Sequence, residues 1–174
     1  MKHTKRWDHK MLFAIQKIQH PFLDRFMLFC TQIGNGGIIW ILFSIIYILC
    51  GKKKEGVLVL ATLGVCAFIV NLLIKPIFTR KRPFETFHHI QVRIKPPFGT
   101  SFPSGHTATS FASTTAILLL GLPFGWLACI LAVCIAVSRI YLFVHYPSDV
   151  IGGAVIGILI AIVVVALVNN YMFS

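Results

Sequence analysis

Long uncharged stretches, separated by polar segments, make up most of the chain. Residues 56–74 and 150–168 each run for nineteen positions without a charged side chain, and residues 26–51 are uncharged as well. About 20 apolar residues in helical geometry cross the hydrocarbon core of a bilayer. We therefore expect membrane-spanning helices over 56–74, over 150–168 and over 36–51, which is the most apolar part of the third stretch.

A fourth uncharged stretch, residues 107–138, is too long for one crossing. Its 32 residues would form about 48 Å of helix, whereas the hydrocarbon core is about 30 Å thick. The sequence Gly121-Leu122-Pro123-Phe124-Gly125 near its middle is typical of a turn. We predict two helices here, over about 104–121 and 125–143.

The N-terminal segment, residues 1–33, has an amphipathic pattern instead. Over residues 11–33 apolar side chains recur at helical spacing, polar and charged side chains take the other positions, and Pro21 interrupts the run. This pattern suits a helix lying in the membrane interface better than a spanning one. The predicted fold is all-α: a polytopic membrane helix bundle of about five transmembrane helices plus an N-terminal amphipathic interfacial helix, with six spans as the alternative.

Composition agrees with a single membrane-embedded domain over residues 1–174. Hydrophobic residues make up 57% of the chain and charged residues 12%, about half the charged share of a soluble domain. The net charge is +11, and a basic excess favours nucleic acid, anionic lipid or an anionic substrate as partner. Nucleic acid is not expected, because the chain has no soluble basic domain or arm.

Three polar clusters interrupt the apolar stretches. They are Lys75 with Arg82-Pro83, then Pro103-Ser104-Gly105-His106, then Ser138-Arg139 with His145 and Asp149. The first closes the 56–74 span, the polar loop 76–103 leads directly to the second, and a turn within 107–138 returns the third to the same side. We expect the clusters to meet at one membrane face, and charge beside a bilayer indicates a functional site.

The clusters contain the residue types that phosphate chemistry needs. Ser104 stands at a predicted helix N-terminus, whose backbone N–H groups and dipole favour an anion, and Gly105 lets an oxygen approach the backbone. Lys75, Arg82 and Arg139 supply positive charge for phosphoryl oxygens. An aspartate near a histidine, as Asp149 is near His145, fixes the tautomer of the ring. Each of these residues, taken alone, more often has a role in packing or capping than in chemistry. The site is predicted because residues of all three clusters meet at one membrane face.

The order and spacing of the clusters resemble the type 2 phosphatidic acid phosphatase superfamily, which includes bacterial lipid phosphatases, glucose-6-phosphatases and vanadium haloperoxidases. That family's pattern, K-x6-RP, PSGH and SR-x5-H-x3-D, is matched at all eleven positions between residues 75 and 149. The resemblance implies that His145 is the nucleophile, that Asp149 orients it and that His106 protonates the leaving oxygen. It further implies phosphate-binding roles for Lys75, Arg82, Ser104, Gly105 and Arg139.

No metal and no cofactor is implied by this resemblance. The adjacent pair His88-His89 does not change that expectation, because neighbouring histidines do not converge on one ion. Gly153 and Gly157 form a GxxxG in the last span, which more often serves helix packing within a bundle than contact between subunits.

The resemblance implies an integral-membrane lipid phosphatase that hydrolyses a lipid phosphate or diphosphate through a phosphohistidine, with the lipid bilayer as its surroundings. Undecaprenyl diphosphate and phosphatidylglycerol phosphate are the favoured substrates, and phosphatidic acid is a third. A vanadate-dependent haloperoxidase-like enzyme is one alternative, although such enzymes are typically soluble. A non-enzymatic anion-binding or transport protein is the other, although it has no need for His106, His145 and Asp149.

We expect a multi-pass protein of the cell membrane whose site faces the extracytoplasmic side. Lys52-Lys53-Lys54 between the first two spans indicates a cytoplasmic loop. Cations on the other side also outnumber the acids there, so charge alone leaves the orientation open, and the resemblance favours the outward-facing site.

Overall fold

Helices make up all the regular structure of the computed structural model, which describes residues 2–88, 90 and 92–172. No strand occurs among these residues, which confirms the predicted all-α class. The α-helices are α1 (Lys2–Gln16), α2 (Pro21–Gly34), α3 (Ile38–Leu49), α4 (Lys53–Phe68), α5 (Pro83–Thr86), α6 (Gly105–Leu119), α7 (Gly125–Tyr141) and α8 (Pro147–Met172).

A helix occupies each predicted span: α3, α4, α6, α7 and α8. In the described part of the chain, three helical segments are long and apolar enough to cross a membrane, namely Pro21–Leu49, Lys53–Ile77 and Pro147–Val168. Helix α7 is apolar but shorter. The protein is therefore a membrane helix bundle, and the number of crossings stays a prediction.

The N-terminal segment differs from the single interfacial helix that the amphipathic pattern predicts. The chain turns after Gln16, and Pro21 begins a second helix, where its missing N–H and fixed φ are tolerated. Helix α2 then passes through a 3-10 turn, Asn35–Gly37, into α3. Gly36 and Gly37 have φ of 60° and 73°, a left-handed conformation that glycine adopts without steric cost. Helices α2 and α3 thus form one kinked apolar segment.

The C-terminal end of α4 changes its helical form on the way to the first polar cluster. The α-helix gives way to a π-helical turn over Ile69–Ile74 and then to a 3-10 turn over Lys75–Ile77. Pro76 explains the end of the helix, because it lacks an N–H and its ring clashes with the carbonyl four residues earlier. Wide turns of this kind are frequent at functional sites.

The interior lies between α3, α4, α6 and α7, where mainly apolar side chains are shielded. Trp40, Val59, Ala116, Ile117 and Ile135 are fully buried there. The indole N–H of Trp40 donates to Ser110 Oγ at 3.1 Å, so α3 and α6 share a buried hydrogen bond as well as apolar contact. Buried indoles are stable when the N–H finds such a partner.

Helices α6 and α8 are in close backbone contact at the GxxxG. A methyl group at Gly157 would overlap the carbonyl oxygen of Ala108, and one at Gly153 would lie 2.6 Å from that of Ser104. The two glycines therefore let the α8 backbone lie directly on the first turns of α6. The packing role that the GxxxG predicts lies within the bundle.

We expect the substitution Gly157→Ala to lower the stability of the protein, because a methyl group has no room against the α6 backbone. Forced overpacking typically costs about 1–3 kcal/mol. The matched control is Gly64→Ala in α4, where nothing lies within 4 Å of the added methyl group. Unfolding in detergent micelles measures both variants, and equal stability of Gly157→Ala and the wild type would contradict this account of the packing.

Candidate active site

A cavity of about 280 Å³ lies where the ends of α4, α6 and α7 meet. Six of the eight residues singled out in the sequence line it: Lys75, Arg82, Gly105, His106, Arg139 and His145. Ser104 and Asp149 are fully buried and do not belong to its lining. The structure thus brings together, in one place, residues from all three polar clusters.

The ring of His145 is held in one neutral tautomer. Nδ1 lies 2.6 Å from the carbonyl oxygen of Ser101, which accepts only, so Nδ1 must carry the hydrogen. Nε2 lies 3.1 Å from Arg82 Nη1, which donates only, so Nε2 keeps its lone pair. The nitrogen that faces Arg82 is therefore unprotonated and nucleophilic.

Burial reinforces this neutral state. The His145 side chain is 2% exposed, and desolvation of the charged form lowers the pKa of His145 to about 4. The carboxylate of Asp149 opposes this shift, and the positive charges of Arg139 and Arg82 add to it. The imidazole is consequently uncharged at neutral pH.

Asp149 reaches His145 mainly through Ser101. Its Oδ2 lies 3.9 Å from His145 Nδ1, beyond hydrogen-bond distance, and accepts the Ser101 hydroxyl at 2.6 Å and the backbone N–H of Tyr146 at 2.8 Å. Ser101 therefore joins the two residues, since its hydroxyl contacts the carboxylate and its carbonyl contacts the ring. Ser101 is a single serine in a polar loop, and no sequence pattern marks it.

A second arginine, Arg80, holds the other oxygen of Asp149. Its Nη1 donates to Asp149 Oδ1 and to Ser148 Oγ, both at 2.7 Å, and its Nη2 donates to Asp8 Oδ2 at 2.5 Å. Asp8 of α1 is fully buried and accepts the backbone N–H of Ser148, in the first turn of α8, at 2.9 Å. Helix α1 is thereby joined to the site. The only sequence signal for Arg80 is its place in a basic run beside Arg82.

Arg82 is fixed by the backbone on three sides. Its guanidinium, 1% exposed, donates to the carbonyl oxygens of Phe98, Gly99 and Val144 at 3.0–3.1 Å. A guanidinium has five N–H groups. Three of them bond to these carbonyl oxygens and a fourth reaches His145 Nε2, so one N–H is left for another acceptor. Such satisfaction by carbonyls is what allows a cation to be buried here.

Lys75 lies against the first turn of α6. Its Nζ donates to Asn71 Oδ1 at 3.0 Å, one π-helical turn earlier in the chain. A Cβ at Gly105 would lie 3.3 Å from Nζ, so the glycine leaves room for the ammonium beside the helix N-terminus. Ser104 is set behind this turn, where its Oγ accepts the hydroxyl of Thr107 at 2.9 Å.

His106 and Arg139 also line the cavity, and each contacts helix α2 or the turn that follows it. His106 Nε2 lies 2.7 Å from Oδ1 of Asn35, in the turn between α2 and α3. Arg139 Nη1 donates to the hydroxyl of Thr31 in α2, whereas its Nε is buried without a hydrogen-bond partner. A buried donor without a partner is unusual and indicates an acceptor that belongs at this place. Asn35 is a further residue that the sequence patterns do not mark.

No set of three histidine, cysteine or acidic side chains that could hold a metal ion occurs among residues 2–88, 90 and 92–172. Of the pair His88-His89, His89 lies outside the described residues.

Comparison with known proteins extends over most of the chain. Residues 55–173 match the model of the PAP2 superfamily. Undecaprenyl-diphosphatase BcrC of Bacillus subtilis is 30% identical over 155 residues, which are 88% of this chain and 80% of the relative. Phosphatidylglycerophosphatase B of the same organism is 30% identical over 168 residues, 88% of this chain and 79% of the relative.

Two solved structures share the fold. The crystal structure of the first transmembrane PAP2 type phosphatidylglycerolphosphate phosphatase from Bacillus subtilis aligns with a TM-score of 0.80 at 24% identity, covering 98% of this chain and 88% of that one. The crystal structure of Aquifex aeolicus LpxE aligns with a TM-score of 0.76 at 28% identity, covering 90% of this chain and 93% of that one.

We expect the cavity to bind a tetrahedral or trigonal oxyanion such as orthovanadate, and Arg139→Gln to weaken that binding about 10- to 100-fold. A hydrogen bond to a charged group contributes about 1.5–3 kcal/mol, and Arg139 has an unpartnered buried N–H. Calorimetric titration of the detergent-solubilised protein measures the affinity. The control is Lys53→Gln, at the opposite end of α4, and equal affinities of the two variants would contradict the assignment.

The buried neutral His145 also makes stability depend on pH. Its pKa in the folded protein, about 4, lies below that of an unfolded chain, about 6.5. The unfolded state therefore binds a proton first as the pH falls, so up to about 3 kcal/mol of stability should be lost between pH 6.5 and 4.

The measurement compares the wild type with His145→Gln in denaturant unfolding across this pH range, since the other histidines cancel in the difference. The wild type should lose stability relative to the variant as the pH falls. Parallel pH dependences of the two proteins would show that His145 is not held neutral.

Proposed function

The chain belongs to the PAP2 superfamily and is a membrane phosphatase; from this premise we propose that it hydrolyses a lipid phosphate or diphosphate through a covalent phosphohistidine on His145. Undecaprenyl diphosphate and phosphatidylglycerol phosphate are the favoured substrates. The observation that carries the proposal is the state of His145, whose Nε2 lone pair lies in a cavity lined by three cations and a second imidazole.

The first chemical step is attack of His145 Nε2 on phosphorus. The N–P bond forms as the bond from phosphorus to the leaving oxygen breaks. The Arg82 N–H that reaches Nε2 at 3.1 Å is well placed to pass to a phosphoryl oxygen, which frees the lone pair for the attack. The hydrogen bond from Nδ1 to the Ser101 carbonyl then stabilises the positive charge that the ring gains.

His106 supplies the proton for the leaving oxygen. The negative charge of a bound phosphate favours the imidazolium form of His106, which can act as an acid. Its Nε2 lies 2.7 Å from Asn35 Oδ1, an acceptor that favours hydrogen on this nitrogen. After the proton has passed to the leaving oxygen, the neutral ring of His106 takes a proton from water. The hydroxide formed attacks phosphorus as the bond from phosphorus to His145 Nε2 breaks. The products are inorganic phosphate and the lipid alcohol or lipid monophosphate.

The cations stabilise the charge that spreads over the phosphoryl oxygens. Phosphoryl transfer depends mainly on positioning and electrostatics. Lys75, Arg82 and Arg139 line the cavity together with Gly105, whose amide belongs to the first turn of α6. Ser104 supports this turn from behind, and Asp149 positions His145 through Ser101.

The surroundings of the cavity favour a lipid substrate. Its wall includes Leu63 and Ala67 of α4, within an apolar segment long enough to span a membrane, and Phe98, whose side chain is 91% exposed. Exposed aromatic and apolar side chains beside a spanning helix are suited to contact with lipid. Two relatives are named for lipid substrates, undecaprenyl diphosphate and phosphatidylglycerophosphate.

We further propose that the cavity faces the extracytoplasmic side of the cell membrane. The segment Lys53–Ile77 begins beside Lys52 and ends at the site, so the lysine-rich loop 52–54 and the cavity lie at opposite ends of it. Basic loops favour the cytoplasmic side. The cavity would then open outward.

We expect His145→Ala to abolish turnover and His106→Ala to lower kcat by roughly 10²- to 10⁴-fold, the usual contribution of a general acid. Phosphate release from lipid substrates measures both, and His88→Ala, an exposed histidine of the loop 76–103, is the matched control. Wild-type protein given substrate labelled in the terminal phosphate should hold acid-labile label that His145→Ala lacks. Undiminished turnover in His145→Ala would refute the nucleophile, and a strict requirement for Mg²⁺ would refute a metal-free reaction.

A further inference from the structure

A second cavity, of about 440 Å³, adjoins the first. Its lining includes Arg93, Lys95, Pro97, His106 and Arg139. The two cavities share Pro97, His106 and Arg139, whereas His145 lines only the first. The second cavity therefore extends from the wall formed by His106 and Arg139, and not from the side of the nucleophile.

The direction of phosphoryl transfer gives this cavity a role. The attacking and leaving oxygens or nitrogens lie roughly in line on opposite sides of phosphorus. With His145 attacking from within the first cavity and His106 protonating the leaving atom, the leaving group must lie on the His106 side. The second cavity is the space available there, a step that rests on the proposed function.

The charge of the second cavity favours an anion. Arg93, Lys95 and Arg139 line it, and no carboxylate does. Asp24 forms an ion pair with Arg93 from outside the lining; it also accepts the hydroxyl of Tyr141 at 2.6 Å. This pairing fixes the position of the Arg93 guanidinium, and its remaining N–H groups can still bind an acceptor.

One cation in the wall has no acceptor of its own. In the described part of the chain, no carboxylate lies within ion-pair distance of Lys95. A phosphate group would satisfy Lys95 together with the remaining N–H groups of Arg93, because its oxygens accept several charged hydrogen bonds at once.

We propose that the second cavity is an anion subsite that binds the phosphate retained by the leaving lipid, so that the site is built for a lipid diphosphate. The two phosphates of a diphosphate share one bridging oxygen and must therefore lie in adjoining spaces. Nε2 of His145 bonds to the terminal phosphorus, the bond from that phosphorus to the bridging oxygen breaks, and His106 protonates this oxygen. The lipid monophosphate leaves from between Arg93 and Lys95, and water then releases inorganic phosphate from His145.

A binding experiment tests the subsite independently of catalysis. Methylenediphosphonate and methylphosphonate, which are not hydrolysed, are titrated into the full-length protein in detergent. The wild type should bind the diphosphonate more tightly than the monophosphonate. The double variant Arg93→Gln/Lys95→Gln should lose about 10-fold or more in affinity for the diphosphonate and keep its affinity for the monophosphonate.

Two further variants make the outcome decisive. Lys95→Gln alone leaves the ion pair of Arg93 with Asp24 in place, and it should weaken diphosphonate binding in the same sense without loss of folding. Lys10→Gln removes an exposed cation of α1 and should change neither affinity. An unchanged preference for the diphosphonate in Lys95→Gln and the double variant, or an equal loss for both ligands, would overturn the subsite.

Turnover separates this proposal from the function on which it rests. Farnesyl diphosphate and farnesyl phosphate, presented in mixed micelles, share one lipid chain and differ by one phosphate. The double variant should raise KM for the diphosphate about 10-fold and change kcat/KM for the monophosphate by less than twofold. Absence of phosphate release from both lipids in the wild type would refute the proposed function, whereas equal losses for both in the variant would refute the subsite alone.

Discussion

The hydrogen bond from His145 Nδ1 to the Ser101 carbonyl determines the chemical state of the whole cavity. The one hydrogen of the neutral ring lies on Nδ1 and is donated to the backbone. Nε2 therefore keeps its lone pair, which faces Arg82. Burial maintains this neutral form, because a charged ring would lose its hydration among other cations. If the tautomer were reversed, the Nε2 hydrogen would point toward the Arg82 guanidinium, and Nε2 would have no lone pair with which to attack phosphorus.

Keeping several cations near such a ring requires acceptors, and the fold supplies them from the backbone. Arg82 is surrounded by carbonyl oxygens of the loop 76–103 and of the turn after α7. The contact of α8 with α6 at Gly153 and Gly157 brings the backbone N–H of Ser104 to the carbonyl oxygen of Asp149 at 3.1 Å. Close helix packing in the apolar interior thus sets the position of polar groups at its end.

The sequence alone predicts those site residues that interrupt a long apolar pattern. Charged and histidine residues such as Lys75 and His145 stand out against long apolar stretches, and helix ends bring them together. Ser101 and Asn35 could not be found in this way, because a short polar side chain in a polar turn is ordinary and its partner lies far along the chain. The bounds of α1 and α2 also differed from the prediction, since the amphipathic pattern did not show that the kink at Gly36 would join α2 to the first span.

The contact of Asp8 with Arg80 and Ser148 joins residues that lie 72 and 140 positions apart in the chain. During synthesis Asp8 is made early, whereas Ser148 is made only with the final helix. Asp8 can therefore bind Ser148 only after the other helices have been made. The hydrogen bonds that hold Arg80 and the first turn of α8 in place are thus complete only when the first and last helices have packed together.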